Sequence, residues 1–158
     1  PLMLLEIYNR FNKKNNIKNI KLKIIGNGSE LEMIQNYIFQ NNLVKNIEII
    51  EAISQIELQK YYSNASCLII CSKYEGCPNV AIESLFCGTP ILASKSIGGI
   101  KELIKDGING IIIDEYTINA YIKGLNKLLN YDFNNTKIKD TSKKFRVDKI
   151  IPQYENLL

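Results

Sequence analysis

The sequence predicts an α/β protein of the doubly wound type, a parallel sheet flanked by helices. Three observations predict it. Short apolar runs alternate along the chain with stretches of helical periodicity. The apolar runs are nearly continuous, as strands covered on both faces read. Glycines, prolines and helix-capping residues stand between them. At 158 residues, with 46% hydrophobic and 23% charged side chains, the chain has the composition of one globular domain with a sizeable core.

Each element follows from local signals. Leu4, Leu5, Ile7, Tyr8 and Phe11 recur at helical spacing and predict an amphipathic helix over residues 2–12. Residues 20–25 form the first strand, broken by Gly26-Asn27-Gly28. Ser29 and Glu32 have the spacing of a capping box, opening a helix that runs to about Gln40. Residues 46–51 are the second strand, and Ser54 with Glu57 is a second capping box for a helix to about Tyr62. A third strand over 67–71 leads to a helix over 78–86, opened by Pro78 and closed by Gly88, and then to a fourth strand over 90–93. Residues 98–105 read as a short helix stopped by a left-handed cap at Asp106-Gly107. The fifth strand is 110–113, and Thr117 caps a helix carrying Ile118, Tyr121, Ile122, Leu125, Leu128 and Leu129. The apolar tail, from Phe145 to Leu157 and Leu158, docks as a last helix bent or restarted at Pro152.

Composition narrows the chemistry. The formal charge of +4 is spread thinly, so no nucleic-acid surface is expected. With no histidine, neither a His-ligated zinc nor a histidine base is available within these residues. Cys67, Cys71, Cys77 and Cys87 lack the C-x2-C spacing of a zinc site; Cys67 and Cys71 fall on one strand face and read as small buried hydrophobes of a reducing compartment. No signal peptide is visible, and no apolar run approaches the ~18–20 residues that span a bilayer. The chain opens at Pro1 on a helix, whereas a doubly wound unit opens on a strand. A fragment whose first strand lies upstream is therefore expected.

In doubly wound sheets ligands bind outside the carboxyl ends of the strands, where helix N-termini offer free amides. Two stretches fall there. Gly26-x-Gly28 has Leu31 in place of the third glycine of a dinucleotide fingerprint, so it is either a plain turn or a place where a ligand approaches the backbone. Residues 72–88 place Glu75 on a loop and Glu83 on the helix that follows, eight positions apart. That spacing also fits a solvent-facing stripe. Yet Val80, Ala81, Ile82, Leu85 and Phe86 make the helix mostly apolar, and a glutamate within it needs a partner. A polyhydroxylated ligand would supply one. Gly98-Gly99 either cradles a phosphate or turns the chain, and Lys73 and Lys95 lie near the same strand ends.

The run Ser-Lys-Tyr-Glu-Gly-Cys-Pro-Asn-Val-Ala-Ile-Glu-Ser-Leu-Phe-Cys-Gly-Thr-Pro-Ile from Ser72 resembles the Glu-x7-Glu signature of the retaining GT-B glycosyltransferases, the group 1 or GT4-type family. Ile24-Ile25-Gly26-Asn27-Gly28, Gly98-Gly99-Ile100-Lys101-Glu102 and Gly107-Ile108-Asn109-Gly110 flank it in the family's order. The resemblance implies a Rossmann-like domain, the C-terminal half of a GT-B fold, that binds a nucleotide-diphosphate sugar for retaining transfer to an acceptor hydroxyl. By that resemblance Glu83 meets the ribose hydroxyls and Glu75 the donor sugar. The amides of Gly76, Cys77, Pro78-Asn79 and Val80 surround the sugar and phosphate, Ile53 falls beside the base, and Gly26 and Gly28 edge the nucleotide pocket. Glu75 is the catalytic assignment.

No cofactor or metal is implied beyond the donor, for which a UDP-sugar is favoured; the acceptor is a glycan or lipid-linked sugar held by an N-terminal domain absent from these residues. The family's first C-domain strand, with the Arg and Lys that clamp the diphosphate, is absent as well, so residues 1–158 alone are expected to be inactive. The Pro78-Asn79 form is familiar among enzymes of bacterial surface glycan synthesis. That points to a cytoplasmic hexosyl- or HexNAc-transferase, peripheral at the inner face of the membrane. A non-catalytic nucleotide-binding module and a GT-B sugar-nucleotide epimerase are the alternatives.

Overall fold

The computed structural model describes residues 1–15, 20–95 and 98–155. The chain alternates helix and strand: α1 (Leu2–Asn15), β1 (Leu22–Ile25), α2 (Leu31–Gln40), β2 (Ile47–Ile50), α3 (Gln55–Asn64), β3 (Leu68–Ile70) and α4 (Asn79–Cys87). Then come β4 (Ile91–Ser94), α5 (Ile100–Leu103), β5 (Gly110–Ile113), α6 (Ile118–Leu129), α7 (Asn135–Ser142) and α8 (Val147–Glu155).

All pairing among the described residues is parallel, but it forms two sheets. β1 pairs with β2, and β4 lies between β3 and β5. β4 is the most deeply placed strand: Ile91, Leu92 and Ala93 are fully buried, as a strand covered on both faces must be. Ile91 and Ala93 meet Ala81, Leu85, Ile100 and Ile138 on one face, while Leu92 meets Tyr121, Leu125 and Leu128 of α6 on the other.

Helix α1 bolts the two sheets together. Leu5 and Tyr8 pack with Ile34, Ile38 and Ile47 over the β1–β2 pair. Ile7 and Phe11 pack with α6 and β5. The Tyr8 hydroxyl donates to the carbonyls of Ile20 at 2.6 Å and Asn46 at 3.2 Å, so its buried ring carries no orphaned polar tip. Between the outer edges of β1 and β3 lies a cavity of about 800 Å³, walled by Leu4, Tyr8 and Phe11 of α1, Leu58 and Tyr61 of α3, and Leu129 of α6.

Most capping signals act as the sequence predicts. Ser54 and Glu57 form the reciprocal box, and Thr117 accepts from the Ala120 amide. Gly88 takes a left-handed φ of 82° and ends α4. The Ser29–Glu32 box does not form. Glu30 occupies the N-cap position without a side-chain bond, and the Leu31 amide goes instead to the Gly28 carbonyl at 3.2 Å in a tight turn. Gly107 has the expected left-handed φ of 73° but does not cap α5, which ends earlier at Leu103 with an extended Ile104. Helix α7 was not expected. It is capped by Asn134 and buries only Ile138 and Ser142, too little apolar surface to show a period. Pro152 lies inside α8, which runs past it; Leu157 and Leu158 lie outside the described residues.

Candidate active site

The sequence-predicted residues gather at the carboxyl ends of strands, in two groups on different sheets. Gly26 follows β1, with Gly28 two residues on, and Ile53 follows β2; β1 and β2 are neighbours whose last residues, Ile25 and Ile50, pair in register. The Gly26 amide extends the ladder by donating to the Ile50 carbonyl at 3.0 Å. Its φ of 133° is one that side chains rarely adopt. A Cβ built on Gly26 or on Gly28 would meet no protein atom within 4 Å. The backbone is bare there, and Ile53 is half-buried beside the end of β2.

The second group lies between β3 and α4. Pro78 is buried and takes the N-cap position of α4 with an extended ψ of 110°, fixing the angle at which the loop enters the helix. No side chain caps the helix. The Ala81 amide bonds the Pro78 carbonyl at 2.9 Å, which leaves the Asn79 and Val80 amides as first-turn donors at the positive end of the helix. Gly76, Cys77, Asn79 and Val80 are all exposed. A Cβ on Gly76 would also meet nothing within 4 Å. Glu75 is half-buried, and no described residue hydrogen-bonds its carboxylate.

Gly98 and Gly99 prove to be part of this loop's support. The Gly99 amide donates to both the Gly76 carbonyl at 3.0 Å and the Glu75 carbonyl at 3.3 Å. A Cβ on Gly98 would stand 2.3 Å from the Glu75 oxygen, and one on Gly99 would stand 2.0 Å from that of Gly76. Both glycines are therefore fixed by backbone packed on backbone. The pair lies in a turn, as one of the two sequence readings has it, and that turn is packed against the 75–76 backbone.

Glu83 sits half-buried on α4 with a partner that the sequence does not reveal. The Tyr62 hydroxyl, on the last turns of α3, donates to Glu83 Oε2 at 3.1 Å. The Tyr62 ring is only 8% exposed. Burial, and then the adjacent Glu83 charge, hold its phenol well above the usual tyrosine range, so it is a lasting proton donor.

Of the nearby lysines, Lys95 is taken by Asp114 at 2.9 Å, while Lys73 is exposed. Burial pushes the Cys67 and Cys71 thiols up to about 12, so both are neutral at physiological pH and pack as hydrophobes. Asn109, in the Gly-Ile-Asn-Gly run, is fully buried and binds the Lys105 amide, the Leu103 carbonyl and the Thr141 hydroxyl. It has a scaffolding job.

Residues 2–145 match the family described as glycosyl transferases group 1. The chain belongs to that family. An uncharacterized glycosyltransferase of Haemophilus influenzae is 30% identical over 145 residues, which are 87% of this chain and 39% of the relative. This group 1 chain thus spans well under half the length of that curated relative. Its fold is that of solved GT-B glycosyltransferase domains. The apo lipopolysaccharide outer core galactosyltransferase WaaB superposes with a TM-score of 0.80 at 22% identity, covering 95% of this chain and 43% of that one. The pneumococcal O-GlcNAc transferase GtfA, solved in complex with UDP and GlcNAc, superposes with a TM-score of 0.84 at 18% identity, covering 98% and 32%. No helix among the described residues is long and apolar enough to cross a membrane.

Proposed function

We propose that these residues are the donor-binding half of a retaining glycosyltransferase that takes a nucleotide-diphosphate sugar, a UDP-sugar by preference. One observation carries the reading: the 75–80 loop presents bare backbone, first-turn amides and a glutamate whose carboxylate no described residue hydrogen-bonds, together at the end of β3. Such a surface suits hydroxyls and phosphate oxygens and little else. The UDP and GlcNAc named with the GtfA structure support the same ligand class.

The division of labour is the one that the family resemblance implies. Glu83 accepts from the ribose hydroxyls, Ile53 borders the base, and Gly26 and Gly28 let the nucleotide approach the β1 end. Glu75 meets the donor sugar. The amides of Gly76, Cys77, Asn79 and Val80, with the positive end of α4, stabilise charge that gathers on the diphosphate as the bond to the anomeric carbon breaks. Placing the acceptor hydroxyl on the same face is work for the rest of the enzyme. Assembly of a bacterial surface glycan from hexose or HexNAc units, at the cytoplasmic face of the membrane, fits this chemistry.

The cavity between β1 and β3 belongs to the same reading. Hydrogen bonds of Leu22 and Gly26 to β2, and of Leu68 to β4, turn the backbone of Lys23, Ile25 and Ile69 toward the gap. A parallel strand supplied by polypeptide preceding α1 fills it, because a right-handed crossover through α1 lands beside β1. The joined sheet then reverses strand order at the ligand site. In a form extended through that strand, the Ile25 and Ile69 amides become protected from hydrogen exchange; unchanged exchange would place the strand elsewhere.

Calorimetry with UDP-, GDP- and ADP-sugars tests the ligand. One nucleotide is preferred, and Glu83→Ala weakens it by roughly tenfold to a hundredfold, the worth of hydrogen bonds to a carboxylate. Affinity indifferent to Glu83 would remove it from the ribose.

A further inference from the structure

Tyr62 is tied to α4 at two levels. Its carbonyl accepts from the Thr89 hydroxyl at 2.5 Å, and the Thr89 carbonyl accepts from the Ser84 hydroxyl at 3.1 Å. Thr89 and Ser84 are buried, at 2% and 0% exposure. This chain of bonds locks the end of α3 against the end of α4 independently of the Tyr62 side chain. The hydroxyl is thus free to do something else. It reaches across to the Glu83 carboxylate at 3.1 Å, and no other hydrogen bond to it is made among the described residues.

A glutamate has three side-chain torsions, and an unrestrained carboxylate at a binding site loses that freedom when ligand arrives. A buried phenol on Oε2 removes the freedom beforehand. It also fixes the carboxylate plane, leaving Oε1, which no described residue reaches, to accept from a ligand. Being hard to ionise, the phenol keeps its proton and stays a donor.

We infer that Tyr62 is a positioning residue for the donor: it holds Glu83 Oε2 so that Oε1 is set to accept from the vicinal hydroxyls of a nucleotide ribose. This rests on the placement of Glu83 at the ribose. A tyrosine that merely parks its hydroxyl on the nearest acceptor would affect the fold and leave ribose recognition untouched. The two roles differ in what a ligand without ribose hydroxyls reports.

The test uses the full-length protein and two probes: whichever of UDP, GDP and ADP binds, and its 2′,3′-dideoxy counterpart. Tyr62→Phe keeps the ring and its packing. It should weaken the ribonucleotide about three- to tenfold, the usual worth of one hydrogen bond to a charged group in a partly exposed site, and leave the dideoxy nucleotide unchanged. Tyr62→Phe added to Glu83→Ala should cost nothing more. Equal loss on both nucleotides, or loss on neither while Glu83→Ala remains selective for the ribonucleotide, overturns the role of Tyr62 alone. A Glu83→Ala protein that still discriminates the two nucleotides as wild type does overturns the ribose placement and this inference with it. Should the phenylalanine variant fold poorly, 3-fluorotyrosine placed at position 62 gives a second readout. Its fluorine resonance should move on adding the ribonucleotide and stay put with the dideoxy form; the same shift with both would contradict the inference.

Discussion

Two glycine-bearing loops near the sheet ends, Gly26-x-Gly28 and Gly98-Gly99, do opposite work. At Gly26 and Gly28 the space where a side chain would stand is empty to 4 Å. At Gly98 and Gly99 it is filled by the Glu75 and Gly76 carbonyl oxygens, at 2.3 and 2.0 Å. The first loop leaves its backbone open to something outside the protein. The second lends its backbone to a neighbouring loop, and the loop it supports contains Gly76, which is itself open. Surroundings assign the role. Residue type alone does not.

The largest effect that sharpens this contrast is expected from Gly99→Ala. No side chain can swing away to relieve a backbone overlap, so the 75–80 loop must shift. The fold should lose about 1–3 kcal/mol, as overpacking commonly costs. Displacing the loop should also lower transfer by on the order of a hundredfold. Thermal melts and turnover of the full-length enzyme read both quantities, and wild-type activity with an unchanged melt would break the comparison. Gly76→Ala is the smaller and more selective change. Stability should stay within about 0.5 kcal/mol, because nothing in the protein is near. Donor affinity should nonetheless fall severalfold as a methyl group enters the ligand's space. Equal donor affinity in that variant would mean that Gly76 faces only solvent.

The fold was legible where local chemistry decides. Residues 110–113 form a strand with the predicted bounds, because four apolar-compatible residues lie between a turn and an acidic exit. Ser54 and Thr117 cap the helices their spacing announces. The Ser29 box failed because α2 starts one residue later, with Glu30 at the N-cap, so Ser29 and Glu32 no longer hold the N-cap and N3 positions; spacing alone does not register that shift. The division into two sheets was half legible: a chain opening on a helix leads us to expect a strand upstream, but where the gap falls, between β1 and β3, is set by strand order, which no local signal carries.

The site divides in the same way. Glu75 and Glu83 stood out as carboxylates on either side of a helix start. Tyr62 did not, for a tyrosine 21 positions before Glu83 has no periodic relation to it. Gly98 and Gly99 drew attention, but their reason lies in two carbonyl oxygens more than 20 residues upstream.

On the proposed reading, one surface, from the β1 end to the start of α4, holds the nucleotide-sugar donor. Backbone amide resonances followed during titration with UDP test it most directly. The largest shifts should fall on Gly26, Gly28, Ile53, Gly76, Cys77, Asn79, Val80 and Glu83, with Asn109 and the buried β4 amides nearly still. Shifts concentrated away from those residues, or an unmoved 75–80 loop at saturating UDP, would contradict it.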